Sequence, residues 1–397
     1  MSSLATARKR APYLRIGYIP LADAAALIIA VDKGFAAEEG LDVELVREVS
    51  WSNVRDRLNI GQFDAAHLLS PVAIASSLGL GHVRVPIVAP LNLGLNGNAI
   101  TVTTALHRAL AEHSDGDITD PKVSARALAA VVAERKRTGQ DPLTFGMTFP
   151  YSMHNYQLRF WMASGGVDPD EDLRLVVLPP PFMVESIANG HVDAFCVGAP
   201  WNSVAVDLGI AHILHFGSEI IERAAEKVLA VRASWASENP DLVTKLIRAH
   251  ARAASFIEDA ANRDEACRII AAPNRVGVAP DLIRRTLDGK LKASPDGSVR
   301  SSDRYLLIGR RGAARPDPVQ AAWLYAQMVR WGQAPMSAEL LAEAKAVFRP
   351  DLHDEVLGAP PAAPASEPVD GVGAFDGPAF DANDVAAHLE PWLIKRC

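Results

Sequence analysis

Apolar and polar positions in this chain alternate between two periods, one of two residues and one of about 3.6. Leu14 to Ile19 is an apolar run broken by Pro20 and predicts a strand, and residues 22–33 recur at helical spacing as far as Gly34 or Gly40. Leu41 to Val46 alternates in steps of two and predicts a second strand. Ser52 predicts the N-cap of a helix over 53–59. Ser70-Pro71 opens a helix over 72–78, closed by Gly79 or Gly81. Val85 to Ala89 and Ala99 to Thr103 predict strands, and the polar, glycine-bearing stretch 91–98 predicts a loop between them. Further along, Asp120-Pro121 and Gly139 bracket a helix, 144–148 is a strand, and Ser152 caps a helix to about Ser164. A strand over 173–178, helices over 181–189 and 200–208, and a strand from Lys227 to Arg232 follow. Asn239-Pro240 starts a helix over 241–259, with Leu242, Leu246, Ala249, Ala253 and Ile257 on one face. A helix near 318–331, an irregular Pro/Ala/Gly-rich stretch over 358–380 and a short helix over 385–392 complete the pattern.

One motif occurs twice within these elements. Residues 61–71 read G-Q-F-D-A-A-H-L-L-S-P and residues 190–200 read G-H-V-D-A-F-C-V-G-A-P, so Gly61, Asp64, Ala65 and Pro71 recur as Gly190, Asp193, Ala194 and Pro200. Both copies follow a helix, and both prolines stand at the next helix start, which predicts helix, glycine stop, buried strand and helix again. A corner built twice implies two similar α/β lobes with a cleft between them, where α/β folds bind ligands. The expected division is a first lobe of 13–103 plus 228–397 and a second of 104–227, with two chain crossings acting as a hinge.

Composition narrows the function. The 397 residues suit two lobes, and 49% hydrophobic with 22% charged residues is an ordinary globular balance. A formal net charge of −7, with no offsetting basic block, argues against direct nucleic-acid binding, although a small anion can still find a locally positive site. Three widely spaced cysteines make neither a disulfide framework nor a metal knuckle. The N-terminal Arg8-Lys9-Arg10 is followed by no apolar stretch of signal-peptide length and no membrane-spanning run is visible, so the expectation is a cytoplasmic protein without a membrane partner.

No catalytic, Walker or dinucleotide-binding motif is present, and neither a cofactor nor a metal is expected. Cys196 reads as a small buried hydrophobe, and His212 with His215 as an ordinary pair. Anion capture is the stronger signal. Ser152 as N-cap puts His154 in a first helical turn, where N–H groups are free and the dipole is positive. His154 then either binds an anion or is a local histidine near a cap. Trp51, at the corresponding corner of the other lobe, either covers a flat ligand or staples its helix. Lys227 either neutralises an anion or is solvated, and Gly198 either admits a ligand to the backbone or turns the chain.

The same positions carry a resemblance. From Leu14 to about Trp331 the chain resembles the NrtA-type nitrate-binding proteins, within the nitrate, sulfonate and taurine class of bacterial transporter binding proteins. The resemblance rests on R-I-G-Y-I-P-L (15–21), V-S-W-S-N-V-R-D-R-L (49–58), F-P-Y-S-M-H-N (149–155), F-C-V-G-A-P-W-N (195–202) and E-K-V-L (226–229). It implies a type II periplasmic-binding-protein-like clamp. It also implies that Trp51, Asn98, His154, Gly198 and Lys227 touch the ligand; Asn98 stands where the family commonly has Gln. The resemblance further implies that bicarbonate binders carry an acidic residue at the position of Lys227 and recruit a metal ion there, so that the lysine favours nitrate or nitrite. Together with the expected location, the resemblance implies a NasS-type sensor that holds an ANTAR-type RNA-binding antiterminator until nitrate or nitrite binds. The alternatives are a transport binding protein whose signal peptide has been removed, and an enzyme of the same fold such as a pyrimidine-precursor synthase.

Overall fold

A computed structural model describes residues 11–359 and 367–397. The Arg8-Lys9-Arg10 patch and residues 360–366 of the Pro/Ala/Gly-rich stretch lie outside the described residues. The strands are β1 (Tyr13–Tyr18), β2 (Asp42–Arg47), β3 (Ala65–Leu69), β4 (Ile87–Asn96), β5 (Asn98–Thr103), β6 (Thr144–Met147) and β7 (Arg174–Val177). They continue as β8 (Ala194–Gly198), β9 (Ala211–Phe216), β10 (Ala225–Arg232), β11 (Lys290–Lys292), β12 (Val299–Ser301) and β13 (Leu306–Leu307).

Two main sheets result, ordered β13-β4-β10-β3-β1-β2 and β7-β6-β8-β5-β9, while β11 and β12 pair separately. β1 is parallel to β2 and β3, just as β6 is parallel to β7 and β8. β10 is antiparallel to β3 and β4, and β5 is antiparallel to β8 and β9. Each sheet therefore has three parallel strands followed by an antiparallel strand delivered from the other half of the molecule.

The repeated corner explains why the halves match. Gly61 and Gly190 take φ of 80° and 71°, the left-handed conformation that ends a helix and that a Cβ would strain. Three residues on, Asp64 Oδ2 accepts from the Arg15 N–H at 2.8 Å, and Asp193 Oδ2 accepts from the Thr144 N–H at 2.8 Å. The N–H groups of both aspartates donate back to the carbonyls of Arg15 and Thr144. Each aspartate thereby sets the register of β3 on β1 or of β8 on β6.

Several expectations change. The stretch 91–98 is not a loop: β4 runs buried to Asn96, because Asn92 and Asn96 spend their amides on neighbouring backbone. Asn92 Nδ2 donates to the Ala313 carbonyl at 3.0 Å, and Asn96 Nδ2 donates to those of Glu222 and Arg304 at 2.8 Å. The chain leaves the first sheet at Gly97, whose φ of 89° requires glycine, and Asn98–Thr103 pairs in the second sheet rather than the first. The cap of the helix Trp51–Asn59 is Ser50, not Ser52: Ser50 is extended and its Oγ accepts from the Asn53 N–H at 3.3 Å. Asn239 makes no side-chain cap; its amide donates to the Trp235 carbonyl at 2.9 Å.

The C-terminal residues assigned to the first lobe pack instead on the helix Met153–Ser164, which follows β6. Phe375 and Trp392 meet Phe160 edge-on at centroid distances of 5.7 and 5.0 Å, Lys122 pairs with Asp376 at 3.1 Å, and Arg396 pairs with Asp168 and Asp170. That helix is buried nearly all round, so it has cover on the side away from its sheet as well. The described part of 358–380 has neither helix nor strand beyond a single bridge, Ile221 to Ala374.

Because the two aspartates do equivalent work, Asp64→Ala and Asp193→Ala should each cost about 1–3 kcal/mol through an orphaned strand N–H. Urea denaturation of the two variants checks this, with similar losses expected at both corners.

Candidate functional site

Strict alternation along β10 would put Glu226 and Lys227 on opposite faces. A bulge prevents it: Ala225 pairs with Leu95 but Lys227 with Gly94, so β10 carries one extra residue against β4. Both side chains consequently reach one buried point, with Lys227 Nζ 2.6 Å from Glu226 Oε1 and 2.9 Å from Asp23 Oδ2. Asp23 sits in the short turn Ala22–Ala24 directly after β1. Its other oxygen is 2.9 Å from His67 Nε2. His67 Nδ1 accepts from the Ile19 N–H at 3.4 Å, which leaves Nε2–H as the donor to Asp23. Trp51, 1% exposed, opens the helix after β2, and Lys227 Nζ lies 5.1 Å from the centre of its ring.

The second sheet completes the site. Asn98 begins β5 opposite Gly198, the last residue of β8. Asn98 Nδ2 donates to Glu226 Oε2 at 2.6 Å and to Gln157 Oε1 at 3.1 Å. His154 stands in the first turn of the helix Met153–Ser164, with Ser152 as its cap. His154 Nδ1 is 3.0 Å from Thr148 Oγ1 and 3.4 Å from Glu226 Oε1. A Cβ added at Gly198 would stand 3.5 Å from Asn98 Oδ1 and 3.7 Å from Asp23 Oδ2, so position 198 faces the same point. Trp51, Asn98, His154, Gly198 and Lys227 are therefore brought together where the parallel strands end.

Two members of this group escape sequence reading. Asp23 is a lone acid within an otherwise apolar run, L-A-D-A-A-A-L-I-I, and that was its available signal. Glu226 precedes the strand as read from Lys227, and nothing in the pattern announces the bulge. The corner matching that of His154 belongs to Asp23 rather than Trp51, since β1 and β6 are the equivalent strands. Lys227 also differs from expectation, because two carboxylates already bracket its charge.

Burial sets the protonation states. It drives the Asp23 carboxyl upward, but the charge of Lys227 and the hydrogen bond from His67 outweigh it and hold Asp23 well below the usual carboxylate range. Burial raises Glu226, and Lys227 only partly offsets the rise. Lys227 is lowered by burial yet held above its ordinary value by Asp23 and Glu226. His154 is pushed well below the usual range by burial and by Lys227, and burial also lowers His67. Both rings are thus neutral at pH 7. Among the described residues, Trp51 Nε1, His154 Nε2 and Asn98 Oδ1 are buried with no hydrogen-bond partner. Buried polar atoms normally have partners, so the Trp51 N–H and, in its Nε2–H tautomer, His154 are free to donate to a ligand, whereas Asn98 Oδ1 can only accept.

Other candidates lead elsewhere. Cys196 is fully buried 3.9 Å from Gln157 Oε1, and burial raises its thiol well above the usual cysteine range, which disfavours a thiolate. His212 stacks on His107 at 4.0 Å, and His215 bonds Ser124 Oγ at 2.6 Å. No group of three or more His, Cys, Asp or Glu among the described residues is placed to hold a metal ion.

Comparison with known proteins gives the family and the fold. The profile of the NMT1-like family matches residues 7–271. The nitrate/nitrite binding protein NrtA of Synechococcus elongatus is 33% identical over 391 residues, covering 96% of this chain and 86% of that protein. The bicarbonate transport ATP-binding protein CmpC of the same species is 31% identical over 390 residues, but this chain spans only 55% of it. Among solved structures, the periplasmic nitrate-binding protein NrtA from Synechocystis PCC 6803 superposes with a TM-score of 0.85 at 28% identity, covering 96% of this chain and 98% of that one. The fold is accordingly an α/β two-lobed clamp of the periplasmic-binding-protein type.

Removing the central cation strands two acids. Lys227→Met should cost about 3–5 kcal/mol in chemical denaturation near pH 7.5. The carboxyl groups left behind would titrate above their unfolded values, so part of the loss should be regained on acidification toward about pH 5. In the wild type that acid-side gain is confined to Glu226, because Lys227 holds Asp23 low, and the histidines oppose it. His67 and His154 titrate below the unfolded value of about 6.5, so their contribution is complete above that pH and is lost as pH falls. Thermal melting from about pH 7.5 down to 4.5 reads both slopes.

Proposed function

This chain belongs to the NMT1-like family, among the NrtA-type nitrate-binding proteins, and on that premise we propose that it closes its two lobes on a single nitrate or nitrite ion. The observation that carries the reading is the convergence of Trp51, Asn98, His154, Gly198 and Lys227 from five separate segments. Nitrate is flat, singly charged and weakly basic, so shape and donors must select it. The indole N–H of Trp51 and the outer nitrogen of His154 are the uncommitted partners. Hydrogen bonds to a charged group contribute about 1.5–3 kcal/mol each. A few of these, less desolvation and closure, reach micromolar affinity, about −8 kcal/mol. The chain works as a binding protein, with a protonated Cys196 and no activated nucleophile beside the ligand point.

Two physiological uses follow from the same clamp. In the first, the protein is a cytoplasmic sensor: its open form grips an ANTAR-type RNA-binding antiterminator, and closure on nitrate lowers that affinity by reciprocal coupling. The resemblance of the sequence to sensor proteins supports this use. The second use is delivery of the anion to an ABC transporter, which is favoured by relatives named for nitrate/nitrite binding and by the periplasmic NrtA structure. Cell fractionation and nitrate-sensitive co-purification of an antiterminator separate the two.

Calorimetry should show heat with nitrate or nitrite and none with sulfate. His154→Ala should weaken binding at least about tenfold, the cost of one hydrogen bond to a charged ligand. Silence of the wild type toward both nitrogen oxyanions would remove the proposal.

A further inference from the structure

We propose that the anion enters this site together with one proton, and that Glu226 is the residue that takes the proton up. The inference rests on the anion-binding reading above and deepens it by naming what regulates the site.

The fixed charges leave little choice. Lys227 is the one cation of the cluster, 2.6 Å from Glu226 and 2.9 Å from Asp23, and all three side chains are at most 3% exposed. Every other element packed around Glu226 supplies a neutral group. His154 from the helix after β6 and His67 from β3 behind Asp23 are uncharged, and Asn98 from β5 donates its amide. Cys196 on β8 and Tyr305 near Asp23 keep their protons. With Asp23 and Glu226 both ionised, the cluster carries one negative charge before any ligand arrives. A bound anion would make it two, against a single lysine and without water to screen them. With Glu226 protonated, the cluster is neutral and the anion brings the total to one. Of the two acids, Glu226 is the one that burial raises, while Asp23 is held down by His67 and Lys227.

Geometry at His154 points the same way. A glutamate oxygen 3.4 Å from Nδ1 draws the imidazole proton to that nitrogen when the carboxyl is ionised, leaving Nε2 a lone pair. A lone pair repels an anion. Once Glu226 is protonated, the Thr148 hydroxyl, 3.0 Å away, can donate to Nδ1, and Nε2 carries the proton as a donor. Nε2 is the buried nitrogen without a partner. One proton on Glu226 thus removes a repulsive charge and turns His154 into a donor. Nitrate is too weak a base to carry the proton itself, so solvent supplies it. A dianion such as sulfate would need a second proton and is refused.

The test is calorimetry of the whole protein with sodium nitrate in two buffers of equal pH and different ionisation enthalpy. The expected result is proton uptake that rises toward one per nitrate as pH is raised from about 5.5 to 8, with affinity falling about tenfold per unit once Glu226 is ionised in the free protein. Glu226→Gln should bind with no buffer-dependent heat and with an affinity that no longer changes over that range. Wild-type binding whose heat is independent of buffer and whose affinity is flat with pH would overturn the proton coupling while leaving nitrate binding intact. No nitrate heat at any pH is the separate result that would end the binding reading and this inference with it. The wild-type measurement decides the matter even if the variant does not fold.

Discussion

Lys227 buried between Asp23 and Glu226 is the interaction on which the rest of the site depends. Charges this deep are costly to desolvate and persist only where partners and hydrogen bonds are complete. Two unit charges about 4 Å apart exchange about 4 kcal/mol at an effective dielectric near 20, so every atom that faces this cluster feels it. Three observations follow from that one arrangement: His67 is locked to Asp23, Asn98 is drawn to Glu226, and both neighbouring histidines are neutral. Asp23 and Lys227 belong to the first sheet's half, whereas Asn98 and His154 belong to the second's. The cluster is therefore also the seam along which the two halves meet.

That placement makes the seam conditional. Separating the halves breaks the Asn98–Glu226 hydrogen bond and moves His154 away from Glu226, while the Lys227–Asp23 pair travels intact with the first sheet. With the halves together Glu226 is fully buried. A ligand shifts the balance between open and closed only by its differential affinity for the closed state.

Much of this was legible in the sequence because the architecture is announced by local chemistry. The glycine and aspartate of the repeated corner fix a helix end and a strand register, and both are short-range decisions visible at 61–65 and 190–194. The sheet plan follows from them. What sequence did not reveal depends on contacts made at a distance. Asn92 and Asn96 look like loop residues until the backbone of 222, 304, 313 and 315 is there to accept their amides. Glu226 looks like the solvent side of a strand until a bulge turns it inward. Ser50 and Ser52 compete for one cap, and the backbone at Ser50, rather than the residue type, decides between them. The family resemblance named five residues that the fold brings together, but not the two acids that determine how the lysine among them behaves.

The C-terminal segment adds a mechanical constraint that a two-crossing hinge lacks. The helix Pro318–Arg330 packs on the helix Ser70–Leu78 of the first half, while its Trp323 reaches Phe160 of the second at a centroid distance of 6.4 Å. Just beyond it, Gln333 accepts from the Tyr156 hydroxyl at 2.7 Å and donates to the Pro150 carbonyl at 3.1 Å. Phe375 and Trp392 then close over the far side of Phe160. Phe160, Tyr156 and His154 share one helix, so the element that carries the site's histidine is gripped from behind by residues that also hold the first half. Opening at Gly97 must either slide this packing or keep it as the pivot. Because close-packed interfaces resist sliding, the pivot is the cheaper course. A third link of this kind limits how far the lobes separate. It also braces, from behind, the helix that carries His154.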